Sequence, residues 1–485
     1  MSDEPHNAVL PSGTIVSETA PPPAISPDRE GGGLRNTRPN FRNGLLRNVA
    51  TIGGITAAVK LAGAAKSIVI ARAFGAGDSL DAYLVAFLIP SFAGDVLAGA
   101  IAPALLPILV DVKARKGSHH ALQLASHVLA AAAALLTLVA LIAALFSWSA
   151  LHLLAAGFPA ARLRVTQTLL FFMLPILPLS VVTATFRTIL NAEEHFALPA
   201  LAPLMTPVAI VAAIYSMAGS RALAVGTTAG ALLEVAILSA ALWRLGMFVV
   251  PRWSGMSEAL RRVFSGYTPV ACSYLILGGS SLIDQTLAAT LGSGSVSALN
   301  YGTRLVGVIL SIGSSSLATA ILPRFSKLAA ADRWQELRGA FRSVAALSLG
   351  ISIPLTLLLA LLSQPLVRVL FQRGAFTAAV SQLVGNVQAF SLLQIPFSVL
   401  LVLAVRMVSS LKVNRLLLHL AVVSLIANAL FDLLLMRWLG VAGIALSTSL
   451  VHATGLAFLV WALFRAKPWS VIHVQRQPAA VGAAP

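Results

Sequence analysis

Three cations stand where hydrocarbon is expected. Lys60 and Lys66 interrupt the apolar run "AAVKLAGAAKSIVIARAFGAG", and Arg304 interrupts "ALNYGTRLVG". At the centre of an isolated lipid-facing helix the two lysines would cost about 5–7 kcal/mol. A site must offset that cost: a hydrated cavity, a counter-charge or an anionic ligand. On an ideal helix Lys60 and Lys66 lie about 120° apart, so they converge only if the helix bends, and Gly63 lies between them. Two ammonium groups and a guanidinium suit a multivalent anion such as a pyrophosphate, which arginine grips in a fork and lysine meets as a point charge. Asp81, near the start of the next apolar run, either pairs with one of these cations or stands as an exposed helix-start acid.

A second group carries different chemistry. Asn428 and Asp432 in "ANALFDLLL" are four apart and share a helix face. Asp284 in "SSLIDQT" and Thr448 in "ALSTSLV" are the other oxygen-bearing side chains deep in apolar sequence there. Carboxylates, an amide and a hydroxyl suit a hard cation such as Na⁺, or a proton. Hydrogen bonding between helices is the alternative. Glu234 and His452 read as lone packing or capping residues.

The elements that must position these groups follow from composition. Of 485 residues, 58% are hydrophobic and 11% charged, well below the roughly 25% charge of soluble domains. The chain is an all-α integral membrane protein. Apolar runs long enough to cross about 30 Å fall near 46–74, 80–112, 122–150, 164–190, 199–218, 222–243, 266–291, 297–322, 343–363, 379–410, 416–436 and 440–464. Most Lys and Arg outside the runs lie in the loops on the side of both termini, which predicts cytoplasmic termini for about 12 spans. The net charge of +17 is spread through short loop clusters without a basic, aromatic-studded face, so nucleic acid is not a partner. With Cys272 the only cysteine, disulfides within the chain and cysteine metal sites are excluded.

Two halves are legible. Gly75 and Gly77 are echoed by Gly292 and Gly294, Pro107 by Pro323, Pro178 by Pro396, and Trp243 by Trp461, all at nearly one spacing. This predicts two pseudo-symmetric six-helix lobes, parallel repeats with cargo bound between them. The domains are a disordered cytoplasmic tail over 1–40, an N-lobe over 41–250 and an interfacial linker helix over 251–265. A C-lobe over 266–466 and a cytoplasmic tail over 467–485 follow. The linker helix rests on Met256, Leu260, Val263 and Phe264 at helical spacing beside Arg261 and Arg262.

"ARAFGAGDSLDAYLVAF", "LNAEEHFALPALAP", "GSGSVSALNYGTRL", "LATAILPRFSKLAA", "VLFQRGAFT" and "LGVAGIALSTSLV", in this order from about Leu45 to Arg465, resemble the MurJ (MviN) family. These are flippases of lipid-linked cell-wall precursors within the MOP exporter superfamily, to which MATE transporters also belong. The resemblance implies that Lys60, Lys66, Arg304 and Asp81 bind cargo. It also implies a sodium site of Asp284, Asn428, Asp432, Thr448 and the backbone carbonyl of Ile444. Three features depart from the family pattern. Gly94 and Asp95 stand in the region of an arginine pair, Ser67 replaces an acid, and the chain has twelve runs where many members have fourteen.

The expected function is therefore transport without bond chemistry. A polyprenyl-pyrophosphate-linked saccharide, foremost the peptidoglycan precursor lipid II, crosses a bacterial cytoplasmic membrane by alternating access. The protein acts as a monomer among membrane lipids, with no cofactor beyond a coupling Na⁺ or H⁺. A lipid-linked exopolysaccharide or O-antigen repeat unit is the alternative cargo. A MATE-type drug/cation antiporter would favour carboxylates over lysines in its pocket. An intramembrane enzyme lacks its clustered acid or His/Arg set, since His119 and His120 have no nearby acid.

Overall fold

The computed structural model describes residues 38–465 apart from 412 and 414. The tails expected over 1–40 and 467–485 lie outside the described residues, except that helix begins at Arg38. The chain divides into two units, Met1–Ala50 and Thr51–Pro485, and apart from the start of α1 all that follows concerns the second.

The first lobe contains α1 (Arg38–Phe74), α2 (Asp78–Ala93), α3 (Ile101–Lys116), α4 (Ser118–Leu145), α5 (Ser147–Leu154), α6 (Ala160–Met173), α7 (Ile176–Ala192), α8 (Ala197–Leu201), α9 (Met205–Ser216) and α10 (Arg221–Arg244). The second contains α11 (Glu258–Thr290), α12 (Ser295–Gly302), α13 (Arg304–Ala330), α14 (Trp334–Leu361), α15 (Ser363–Phe371), α16 (Ala378–Leu392), α17 (Gln394–Ser410), α18 (Arg415–Leu439) and α19 (Val441–Arg465). Hydrocarbon offers no partner to a bare N–H or C=O, so long apolar runs satisfy their backbone internally as helix. Among the described residues, 10 helical segments are long and apolar enough to cross a membrane. The two remaining sequence-predicted runs fall on α11 and on α12–α13.

The duplication has a structural trace. The predicted run 164–190 is α6 and α7, and 379–410 is α16 and α17. Pro178 and Pro396 each stand in the first turn of the second member of their pair, where a missing N–H costs nothing. Helix–helix packing is tight inside the first lobe. A Cβ on Gly230 of α10 would lie 2.5 Å from Cα of Thr206 on α9.

The linker differs from expectation. It is not a separate surface helix over 251–265. Residues up to Met256 are non-helical, Ser257 caps the next helix by accepting from the Leu260 N–H at 3.2 Å, and α11 then runs without interruption. Leu260 and Val263 are buried against Ile101 and Val128 of the first lobe. The amphipathic spacing is real, but Leu260 and Val263 of its apolar face meet protein, while Met256 and Phe264 stay exposed.

Candidate functional site

One end of the bundle is sealed between the lobes. Asp81, in the first turn of α2, is fully buried. Its Oδ2 accepts from the Gly294 N–H and its Oδ1 from the Ser297 N–H, both at 2.7 Å, and the Ser297 hydroxyl also donates to Oδ1. A carboxylate thus closes the N-terminus of α12, where unsatisfied N–H groups and the helix dipole favour negative charge. Arg162 Nη2 donates to Asp81 Oδ2 at 2.8 Å, and its Nη1 lies 2.8 Å from Asp78. The guanidinium carbon rests 3.6 Å from the centre of the Phe158 ring.

Backbone contacts complete the seal. The Ala375 N–H donates to the Arg72 carbonyl at 2.9 Å. Beside it Gly374 has φ +63°, and a Cβ there would come within 2.4 Å of that same carbonyl oxygen. Only glycine meets both demands. Tyr301 donates to the Gly75 carbonyl at 3.4 Å.

Behind the seal the three sequence-predicted cations come together. Lys66 and Arg304 line a cavity of about 110 Å³ with Ser67, Tyr83, Phe87 and Asn300. Lys60 and Arg304 line an adjoining cavity of about 330 Å³ with Gly63, Asn300 and Thr303. Asn300 and Arg304 belong to both, so α1 and the α12–α13 junction face one chamber. The junction arises because α12 ends at Gly302, Thr303 turns its hydroxyl back to the Leu299 carbonyl at 2.7 Å, and α13 starts at Arg304. Ser67 likewise spends its hydroxyl on the Gly63 carbonyl at 3.0 Å.

The electrostatics of the chamber are one-sided. Among the described residues the carboxylate ion pairs go to Lys113, Arg115, Arg162, Arg187, Arg262 and Arg333, and none to Lys60, Lys66 or Arg304. Lys66 and Arg304 share one cavity whose lining includes no carboxylate. The expectation that Asp81 pairs with one of these cations is corrected here. It is withdrawn from the chamber into the seal, and its cation is Arg162. Glu234 is not a lone residue either, since it pairs with Arg187 across α7 and α10. His452 meets the Ser398 hydroxyl at 2.8 Å.

The oxygen-rich group also assembles, from α11, α18 and α19. Asn428 Nδ2 donates to Asp284 Oδ1 at 2.8 Å. Asp432 and Asn428 are buried, and Asn428 Oδ1 and Asp432 Oδ2 have no hydrogen-bond partner among the described residues. Thr448 donates to the Ile444 carbonyl at 3.4 Å. Ser447, which the sequence reading passed over, donates to Asp432 Oδ1 and to the Ile444 carbonyl. Its only signal was its place beside Thr448. Asn428 Oδ1 and Asp432 Oδ2, with the Asp284 carboxylate hydrogen-bonded to Asn428, are oxygen donors of the kind that a hard monovalent cation takes. Among the described residues no group of three or more His, Cys, Asp or Glu could hold a metal ion.

Two helical lobes around a charged chamber define a membrane transporter, and solved structures agree on the fold. Lipid II flippase MurJ in an inward closed conformation superposes with a TM-score of 0.73 at 19% identity, covering 87% of this chain and 90% of that one. An inward-facing multidrug resistance MATE transporter of the MOP superfamily superposes at 0.66 and 15% identity, covering 87% and 96%. The profile of the lipid II flippase MurJ family matches residues 70–480, and the chain belongs to that family. The lipid II flippase MurJ of Burkholderia cenocepacia is 30% identical over 364 residues, 71% of this chain and 69% of that protein. The probable lipid II flippase MurJ of Synechocystis is 28% identical over 456 residues, 86% and 82%.

Proposed function

We propose that this protein is a flippase for a polyprenyl-pyrophosphate-linked saccharide, foremost lipid II, moving it from the inner to the outer leaflet by alternating access. The observation that carries this reading is the set of three cations without a carboxylate, gathered on one chamber behind a sealed end. Such a chamber demands an anion. Lys60, Lys66 and Arg304 hold the pyrophosphate while the polyprenyl tail stays in lipid. The sealed end faces outward, as the distribution of basic loops predicts. With both termini cytoplasmic, twelve spans cross the cytoplasmic membrane and the monomer suffices. Two lobes, 41–250 and 266–466, move about the chamber. Opening requires Asp81 to release α12 and Ala375 to part from Arg72.

Asp284, Asn428, Asp432, Thr448 and the Ile444 carbonyl would hold a coupling Na⁺ or a proton. The charge it supplies offsets the two carboxylates and draws α11, α18 and α19 together, which biases the equilibrium between lobe arrangements. A second cargo, a lipid-linked exopolysaccharide repeat unit, is supported by Gly94 and Asp95 where the family resemblance leads to arginines. A drug/cation antiporter is disfavoured by the chamber's cations. The deciding experiment is rescue: expression in cells depleted of their lipid II flippase should restore growth. Rescue instead of a polysaccharide-export mutant alone would establish the second cargo.

A further inference from the structure

Below the cation chamber, α2 ends in a π-turn over Gly94–Ala98. The Gly99 N–H reaches back to the Gly94 carbonyl at 3.1 Å, and a Cβ on Gly99 would lie 2.2 Å from the Asp95 carbonyl oxygen. Such turns are uncommon and concentrate at functional sites. The second lobe supports this one, since Tyr267 of α11 donates to the Leu97 carbonyl at 2.8 Å.

The turn presents Asp95. Leu84 and Phe87 line the chamber, and Asp95, three turns on from Leu84, falls within about 20° of it around an ideal helix. The flanks are covered. Phe92 packs on Gly278 of α11, and Gly94 faces Ser180 of α7. Asp95 lies on the arc between them and is exposed. No Lys or Arg pairs with it among the described residues. A carboxylate at this depth, between an N-lobe helix and a C-lobe helix, is costly against lipid and is best accommodated by a hydrated cleft continuous with the chamber. Along the bundle Asp95 is about 25 Å of helix from Asp78, whereas Lys66 is about 12 Å and Lys60 about 21 Å from Phe74. The acid therefore stands beyond the phosphate-binding cations, at the reach of the far part of a head group.

We propose that Asp95 is a specificity-determining residue that recognises a protonated primary amine on the cargo head group while Lys66 and Arg304 hold its phosphates. The inference rests on the flippase reading above. A carboxylate and an ammonium form a charge-assisted hydrogen bond inside a partly dewatered cleft, and a head group that is neutral at this point leaves the carboxylate desolvated without a partner.

The test uses the full chain in nanodiscs and native mass spectrometry with two probes: an undecaprenyl-pyrophosphate muropeptide bearing a free side-chain amine, and the same lipid with that amine N-acetylated. The unmodified protein should prefer the free amine by about tenfold. Asp95→Asn should abolish the preference, Asp95→Glu should retain it, and Lys66→Ala should weaken both probes alike. Equal binding of the two probes to the unmodified protein overturns the inference, as does a preference that survives in Asp95→Asn. Binding of neither probe above undecaprenol overturns the flippase reading itself, and this inference with it.

Discussion

The backbone N–H of Ser297 meets the carboxylate of Asp81 at 2.7 Å across the boundary between the lobes. One acidic side chain thus ends a helix in the other half of the molecule and holds the Arg162 guanidinium at the same time. The contact joins an electrostatic preference of a helix terminus to a conformational state of a transporter.

Asp81→Asn should weaken the seal by about 2 kcal/mol, because an amide keeps one acceptor but loses the charge facing Arg162 and the helix end. The readout is labelling of a cysteine at Asn300 by a membrane-impermeant thiol reagent, in a background where Cys272 is serine. Labelling from outside should rise, and no rise would show that the seal does not depend on this carboxylate.

Lys66→Ala and Lys60→Ala should each reduce binding of a pyrophosphate lipid by about ten- to a hundredfold and abolish rescue of flippase-depleted cells. Lys66→Arg should retain function because the charge survives. Membrane insertion, checked by immunoblot of the membrane fraction, should be unchanged. Normal growth with both alanine variants would remove the cation chamber from the mechanism.

Asp432→Asn should eliminate any sodium dependence of transport measured in proteoliposomes under an imposed gradient. Ser447→Ala should shift the sodium concentration needed for half-maximal rate, since Ser447 orients the Asp432 carboxylate. Sodium dependence that persists in Asp432→Asn would place coupling elsewhere.

Gly374→Ala should destabilise the sealed arrangement by about 1–3 kcal/mol, the cost of a strained backbone plus a contact with the Arg72 carbonyl that must be relieved. Outside labelling at Asn300 should increase here as well, while Asp81 remains intact. A variant with unaltered labelling would mean that the α15–α16 loop plays no part in closure.

Several features were readable before any coordinates. Lys60, Lys66 and Arg304 stood out because charge in an apolar run is costly wherever the run folds, and the structure places them around adjoining cavities. Asn428 and Asp432 were legible for a similar reason: a four-residue step on one helix leaves no choice of face. The partner of Asp81 was not legible. Gly294 and Ser297 lie in the other lobe, and local spacing carries no information about which helix end meets which side chain. The start of α11 misled for a related reason, because an amphipathic face looks alike whether it meets lipid headgroups or Ile101 and Val128. The π-turn had no sequence mark beyond two glycines.

Residue order alone determined that this chain is helical, spans a membrane, repeats itself and carries cations within its apolar runs. Each follows from lipid as a solvent, which forces long apolar runs into helix and penalises every unpaired charge. Tertiary structure alone decided which charges stay unpaired, which acid leaves the chamber for the seal, and at which end the lobes touch. Those outcomes depend on how two lobes cross and on contacts between residues far apart in the chain. Their alternatives differ by only a few kcal/mol, too little for local composition to encode.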